Sequence, residues 1–375
     1  MFFLNQTPEQ KNDYEKFLKI VGYLSNLFSE SKAPYLYYRI AEKIFCKSFE
    51  AEDLSRSDVS ADAKKLDLGI GLKTFLAGNH KTFQKIAEFG RDKGLYENLS
   101  STDKIIKIAE LRNKRINFTK NVHRLSDSIY HCVLRDSGKF MIYEEQMRPI
   151  DISHISDIKT KKGSIGFNDG LHEYSFLISK STLTKRFSTR TLVHEFPVEI
   201  LENPLDVLTQ YLSGEELILQ ESVKIKQTIY LPLYGKGKIV YKNSGLNQWN
   251  ANGRQRNPDE VYIPVPSVIH RYYPSFFPSR ETPFNLRLPD MRIIQSKICQ
   301  DGGKALMSYS NKELGKWILR DVLKLEEGKL VTFEMLQILG IDSVRIDKQD
   351  SENYEINFAS SGSYENFIEQ SANSL

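Results

Sequence analysis

The chain has 375 residues, 40% hydrophobic and 27% charged. This length and composition fit two or three globular domains and exclude a fibrous or fully disordered protein. The net charge of +4 is too small to predict nucleic-acid binding from bulk charge, so such a function must come from local clusters. Three widely spaced cysteines, Cys46, Cys132 and Cys299, argue against a disulfide framework or a zinc site of paired cysteines.

The opening stretch, MFFLNQTPEQKNDYEKF, turns acidic and amide-rich before any apolar signal region develops. No later run approaches the length of apolar residues that a membrane-spanning helix needs. The sequence therefore predicts a cytoplasmic protein with no membrane partner.

Apolar residues recur at helical spacing in four segments of the first half of the chain. The predicted helices are residues 9–30, 35–48, 83–89 and 103–120. Strand-like sequence occupies residues 57–75, and short alternating strands follow over residues 129–196. These segments predict an α+β domain over residues 1–215, with helices around a mixed sheet.

The stretch ENPLDVLTQYLSGEELI separates two strand-rich regions and places a domain boundary near residue 215. The predicted strands beyond it are TIYLPLY, GKIVY, VYIPVP, FNLRL, VTFEML and SVRIDK. Only NKELGKWILRDVL is typical of a helix there. A β-pseudobarrel is therefore expected over residues 216–358, and a disordered tail over residues 359–375.

The strand GIGLKTF carries a lysine, Lys73, in the middle of an apolar run. A lysine in such a strand either costs desolvation energy or has a function. Asp58 and Asp62 share a parity on the preceding strand, and the turn AKKLD brings Lys73 back beside them. The sequence therefore predicts that two strands bring an acid and an amine together.

The predicted helix at residues 83–89 adds Gln84, Lys85 and Glu88 on one face. Carboxylates at this density are suited to Mg²⁺, and a nearby lysine can orient or deprotonate a water and stabilise charge on a phosphate. This combination is typical of phosphodiester hydrolysis.

These residues resemble the site of the PD-(D/E)xK nuclease superfamily, which has an Asp on one strand and an acid two residues before a lysine on the next. Here Gly71 stands where that acid is expected, and Glu88 lies where some restriction enzymes place a displaced acid. The resemblance implies Asp62 and Glu88 as Mg²⁺ ligands and Lys73 as the water-activating group. Either Gln84 or Lys85 is expected to help at the phosphate. Either Asp58 or Asp62 can be the first ligand, and the shorter hairpin favours Asp62. The alternative is an edge-strand lysine among solvated acids.

In the second half, the stretch SGLNQWNANGRQRNPDEVYIPVP crowds amide and guanidinium side chains into one loop. Such side chains pair bidentately with adenine and guanine edges. The candidates are Asn247, Arg254 and Arg256, with Trp249 between them. A polar surface hairpin is the competing interpretation.

A second cluster, QDGGKALMSYSNKELGKW, places Lys304, Ser308 and Asn311 before a predicted helix, where hydroxyl and backbone N–H groups can bind phosphates. In the first half, Lys185 and Arg186 end a strand and are expected to track a DNA backbone. An edge strand protected by lysines is the equally weighted alternative for that strand.

Residues 225–355 resemble the pseudobarrel DNA-recognition domain that plant B-three transcription factors share with restriction enzymes such as EcoRII, BfiI and the NgoFVII family. The resemblance implies two arms that read bases in the major groove. Asn247, Arg254 and Arg256 belong to the first arm, and Lys304, Ser308 and Asn311 to the second.

Together these features predict a type II restriction endonuclease that cuts double-stranded DNA with Mg²⁺. Cleavage of both strands at symmetric sites favours a homodimer. Two alternatives remain open: a DNA-binding regulator without nuclease activity, and a nuclease subunit that cuts only with an ATP-driven partner.

Overall fold

The structure is a computed structural model that describes residues 1–55, 59–212 and 227–373. The described chain forms two compact units. The first comprises residues 1–55, 59–116 and 125–212, and the second comprises residues 117–124 and 227–373. The predicted boundary near residue 215 lies outside the described residues.

The described part of the first unit contains four α-helices, three of which begin near the predicted positions. They are α1 (Pro8–Tyr23), α2 (Tyr38–Phe49), α3 (Ser101–His123) and α4 (Pro204–Leu212). Helix α1 starts after Thr7, whose hydroxyl accepts a hydrogen bond from the backbone N–H of Gln10. The last residues of α3, from Asn117 on, belong to the second unit, which the sequence did not predict.

The strands of this unit build two separate sheets. They are β1 (Glu52–Asp53), β2 (Ala63–Lys65), β3 (Leu68–Leu76), β4 (Lys81–Glu88), β5 (Asp127–Asp136), β6 (Lys139–Gln146), β7 (Ser156–Lys161), β8 (Ser164–Asn168), β9 (Glu173–Leu177), β10 (Thr182–Ser188) and β11 (His194–Pro197). One sheet has the order β1-β2-β3-β5-β6-β11, and the other has the order β4-β10-β9-β8-β7. In the first sheet β3 and β5 are parallel and the other neighbours are antiparallel, so the sheet is mixed, as predicted.

The predicted helix at residues 83–89 is wrong, because this segment belongs to strand β4. Its backbone pairs antiparallel with β10 along its whole length, and its exposure alternates with the period of a strand. Seven residues are too few for helical spacing to outweigh the hydrogen bonds of a neighbouring strand.

The first sheet separates two apolar clusters. Helices α1 and α2 cover one face through side chains such as Tyr14 and Phe45, which pack with Ile70 of β3. The opposite face carries Phe75 and Tyr130. Because β3 alternates between the two clusters, the face that Lys73 shares with Phe75 is fixed by strand parity.

The described part of the second unit contains seven strands. They are β12 (Gln227–Pro232), β13 (Ile263–Pro264), β14 (Phe284–Arg287), β15 (Ile293–Cys299), β16 (Ala305–Ser308), β17 (Ile341–Lys348) and β18 (Asn353–Ser360). They form one sheet in the order β12-β17-β18-β14-β15-β16-β13. The end strands β12 and β13 approach each other, so the sheet nearly closes into a barrel and the α+β prediction with a C-terminal pseudobarrel is confirmed.

The helices of the second unit fill and cover this sheet. They are α5 (Ser267–Tyr272), α6 (Glu313–Gly315), which continues as a π-helical segment (Lys316–Val322), α7 (Phe333–Leu339) and α8 (Ser363–Asn373). Trp317 of the π-helical segment is 1% exposed and lies in the same core as Phe284 and Tyr354. The aromatic core thus ties the predicted helix to the sheet.

Three local predictions for this unit are wrong. The stretch GKIVY forms no strand, and only an isolated bridge joins Ile239 to Gly235. The other two predictions concern segments that form helices. The stretch VTFEML does not form a strand, because Thr332 caps α7 by accepting a hydrogen bond from the N–H of Met335. The tail is not disordered as far as residue 373, because α8 forms there and packs Phe367 against Tyr230 and Tyr273. Both segments gain order from apolar contacts across the unit.

Within the described residues, no helix is long and apolar enough to cross a membrane.

Candidate functional site

Strands β2 and β3 bring an acid and an amine together, as the sequence predicts. The Nζ atom of Lys73 lies 3.9 Å from Oδ2 of Asp62. Asp62 directly precedes β2, and the same Oδ2 accepts a hydrogen bond of 2.7 Å from the N–H of Leu72. Both side chains keep just over a quarter of their surface exposed, so the pair is fixed in position and still reachable by solvent.

The missing acid at Gly71 has a packing reason. A Cβ atom built there would lie 2.5 Å from Cε of Met147 and 3.1 Å from the ring of Tyr130. An acidic side chain at this position would therefore have to displace Met147 and enter an apolar cluster. The expected acid cannot be accommodated at residue 71 without repacking.

Helix α2 supplies a carboxylate near Asp62 that the sequence prediction missed. Glu42 is 6% exposed, and Nη1 of Arg39 lies 3.1 Å from its Oε2. Burial, followed by the negative charge of Asp62, raises the pKa of Glu42 above its usual value. Glu42 is an acid on the apolar side of an otherwise amphipathic helix. This unusual placement is the sequence signal that could have identified Glu42.

The negative charges of these carboxylates also affect the thiol of Cys46. Burial is the main cause that raises the pKa of Cys46 to about 12, and the charges of Asp53, Glu42 and Asp62 add to it. Carboxylates of α2, of β1 and of the residue before β2 therefore create a negative electrostatic potential around Cys46. Such a potential favours binding of a cation.

Two of the other predicted catalytic residues, Gln84 and Glu88, lie on strand β4 of the second sheet. Glu88 and Lys85 form an ion pair of 2.6 Å with each other and are both more than half exposed on β4. Gln84 lies on the same strand, which belongs to the second sheet and not to the sheet of Asp62. Asp58 lies outside the described residues. The helical face predicted for residues 84, 85 and 88 is therefore wrong, since it required a helix.

The described part of the chain contains few side chains that are arranged to bind a metal ion together. Among residues 1–55, 59–212 and 227–373, no group of three or more His, Cys, Asp or Glu side chains is arranged to hold a metal ion. The carboxylates of Glu42 and Asp62 repel each other electrostatically. A cation bound between them would reduce this repulsion.

Lys185 was predicted to contact DNA, and its burial contradicts this. The residue is 3% exposed, its ammonium contacts the Glu145 carboxylate, and it lies 4.5 Å from the centre of the Phe187 ring. The hydroxyl of Tyr143 donates a hydrogen bond of 2.8 Å to the same Glu145. Strand parity points Lys185 inward, opposite to Arg186, which the sequence pattern did not distinguish.

In the second unit, Asn247 is also buried and serves the fold. Its amide nitrogen donates hydrogen bonds of 2.9 and 3.0 Å to the carbonyls of Tyr241 and Val331, and its oxygen accepts from the N–H of Val331. Trp249 packs partly buried against the core of the unit. The prediction that Asn247 reads bases is therefore wrong, since its side chain is fully used inside the unit.

The two arginines of the same loop share one buried acid. Glu260 is 2% exposed and lies 2.6 Å from Arg254 and 3.4 Å from Arg256. The side chain of Arg254 is 55% exposed, whereas that of Arg256 is 13% exposed. Arg254 thus remains available to a partner, and Arg256 mainly holds the loop, which Gly253 helps to turn at φ +107°.

The second predicted cluster is likewise divided. Ser308 is buried and accepts a hydrogen bond from the N–H of Leu314 in α6, so its hydroxyl is used inside the unit. Lys304 is exposed, and Asn311 lies in the left-handed region at φ +58°. Tyr309, which belongs to the same polar cluster in the sequence, is 55% exposed. Lys304, Tyr309, Ser310 and Lys312 are exposed in this segment, and Asn311 is partly exposed.

Residues 221–350, about a third of the chain, match the family model of the NgoFVII C-terminal B3-like DNA-binding domain. The match covers nearly all strands of the barrel-like sheet and both predicted loops. A search among curated proteins gave no match. The family of this domain, which comes from a restriction enzyme, points to sequence-specific DNA binding in a restriction system.

Proposed function

We propose that the protein is a sequence-specific, Mg²⁺-dependent endonuclease of a restriction system, in which the second unit reads double-stranded DNA and the first unit hydrolyses it. The match of the second unit to the NgoFVII DNA-binding domain carries the proposal. The pairing of Asp62 with Lys73 supports the catalytic half.

The chemistry of the catalytic half follows from three side chains. Asp62 and Glu42 would hold the Mg²⁺, since both are carboxylates in one acidic region and Mg²⁺ prefers oxygen ligands. When bound, the ion would stabilise negative charge on the phosphate. Lys73 orients a water beside Asp62 and donates to the phosphate oxygens as charge develops there. Glu42 thus takes the place that the sequence analysis gave to Glu88.

A regulator without nuclease activity is the second candidate. One observation favours it: the described residues contain no cluster of three or more metal-binding side chains, so the proposed ligand set is small. In that case the Lys73–Asp62 pair would stabilise the β2–β3 hairpin alone.

Incubation of the full-length protein with supercoiled plasmid and Mg²⁺, without ATP, tests the proposal. Discrete fragments are the expected result, and sequencing of the fragment ends then gives the recognition site. Sequence-specific binding without cutting supports the regulator. Cleavage that requires ATP and a second protein supports a nuclease subunit that depends on an ATP-driven partner. Light scattering on a single-site duplex tests whether two copies bind, as the proposed homodimer requires.

A variant pair tests the catalytic assignment directly. Lys73→Ala should lower cleavage by orders of magnitude while DNA affinity measured in Ca²⁺ stays within a few-fold, because only transition-state interactions are lost. Lys81→Ala, which removes an exposed lysine of strand β4, is the matched control. Full cleavage by Lys73→Ala would remove Lys73 from the mechanism.

A further inference from the structure

The five-stranded sheet of the first unit carries a groove on its outer face. The groove has a volume of about 480 Å³ and extends from Phe83 on β4 to Lys159 and Lys161 on β7. Its volume is that of a ligand-binding pocket and is far too small to enclose a base-paired duplex.

The floor of the groove exists because its central side chains are small. The register aligns Lys159 with Gly166, Gly166 with Ser175, and Ser175 with Thr184 across four strands. Gly166 has no side chain, and the nearest atoms to a Cβ built there are backbone oxygens at 3.8 and 3.9 Å. This glycine leaves space in the middle of a sheet face that a larger residue would fill.

One wall of the groove is an exposed aromatic ring stacked with a guanidinium group. Phe83 and Arg186 are direct cross-strand partners, and the guanidinium carbon of Arg186 lies 4.6 Å from the ring centre. The ring is 39% exposed, and Glu173 holds the arginine at 3.2 Å. Aromatic rings and arginine planes on open sheets are the surfaces on which unpaired bases stack.

The opposite wall carries positive charge. Lys159 and Lys161 are exposed on β7, and neither forms an ion pair with any described residue. The groove also contains two acids: Glu173 is paired with Arg186, and Asp157 accepts a hydrogen bond from Asn168. The two lysines therefore outnumber the one carboxylate, Asp157, that has no basic partner in the groove, and they are the positive charges that can bind an anion.

We propose that this groove binds a short single-stranded stretch of nucleic acid, with a base against the Phe83–Arg186 stack and phosphates on Lys159 and Lys161. The inference rests on the proposed function in that nucleic acid is the partner, and it adds a site for unpaired DNA in the first unit. It also revises the predicted backbone contact, since Arg186 takes part and Lys185 does not.

Anisotropy of fluorescein-labelled oligo(dT) with the full-length protein, over a range of salt, tests the groove. Phe83→Ala should weaken binding about 5- to 150-fold, the value of one stacked base. Lys159→Ala with Lys161→Ala should make the slope of log K against log salt shallower by about 1.4, since each phosphate contact on a single strand contributes about 0.7. Gly166→Ile should weaken binding by filling the floor, without a change of charge.

Matched controls separate the groove from general effects. Phe28→Ala removes a more exposed ring of the same unit, and the Lys162→Ala, Lys180→Ala pair removes two exposed lysines from turns of the same sheet. Both controls should bind oligo(dT) like the wild type. Phe83→Tyr should retain binding, because it keeps the stacking ring, and thermal unfolding should confirm that all variants fold.

Unchanged oligo(dT) binding in the Phe83 and lysine variants would overturn the inference, as would an equal loss on blunt duplex. Failure of the proposed function is a separate result, namely wild-type protein without sequence preference or cleavage on duplex DNA. Groove-dependent oligo(dT) binding by such a protein would leave the groove assignment standing.

Discussion

Replacing Lys185 by methionine should strongly destabilise the first unit. The ammonium of Lys185 and the carboxylate of Glu145 have 4% and 14% of their side-chain surface exposed. After the replacement, the carboxylate keeps the hydrogen bond from Tyr143 but no longer has its counter-ion. Removal of one partner of a buried pair costs about 3–5 kcal/mol of unfolding free energy.

This cost translates into a large change in thermal stability. For a unit of this size, each kcal/mol shifts the Tm by about 2–4 °C, so the Tm of the first unit should fall by about 6–20 °C. Circular dichroism of the full-length protein measures it, with Lys180→Met as an exposed control. Replacing both partners, as Lys185→Met with Glu145→Leu, should recover much of the loss, because no buried charge remains.

The opposite pattern would refute this reasoning. The Lys185→Met protein would then melt within about 2 °C of the wild type, and its DNA binding would lose about one unit of salt slope, because Lys185 of the wild-type protein contacts a phosphate. In that case Lys185 would act as a DNA contact, and the ion pair with Glu145 would be unimportant for stability.

Three further predictions concern the reading loop and the acidic region. Arg254→Ala should cost about 1–3 kcal/mol of discrimination at one base pair, measured by competition with single-substituted duplexes. Asn247→Ala should lower unfolding free energy by about 2–4 kcal/mol in denaturant titrations, because three buried hydrogen bonds are lost. Because the pKa of Glu42 is raised in the fold, its ionisation costs stability as pH rises above about 4, the usual value for a glutamate, and Glu42→Gln should flatten the dependence of unfolding free energy on pH there.

Controls for these predictions come from the same segments. Arg256→Ala should mainly reduce stability, because its side chain is largely buried beside Glu260. Asn250→Ala is the matched control for Asn247, since this neighbouring asparagine is exposed. Equal loss of affinity on every duplex with Arg254→Ala would assign that arginine to a phosphate. A Glu42→Gln protein with the wild-type pH profile would contradict the raised pKa.

The sequence alone predicted the features that depend on local pattern. Alternating apolar residues and a tight turn were enough to pair β2 with β3 and bring Lys73 beside Asp62. Long helical periodicity located α1 and α2, and the Asn/Arg loop with its flanking strands carried the resemblance that the family match supports. In these segments, hydrogen bonds between near neighbours and one apolar face determine the structure.

Only the tertiary structure decided which polar side chains remain accessible. Asn247, Ser308 and Lys185 have the residue types of DNA contacts, yet each is buried. Asn247 and Lys185 have partners from distant segments, and Ser308 has Leu314 six residues further on. Glu42 comes near Asp62 through the packing of a helix against a sheet, and residues 83–88 became a strand because β10 lies beside them. Partners distant in the chain supply these energies, and a local pattern of residue types contains no information about them.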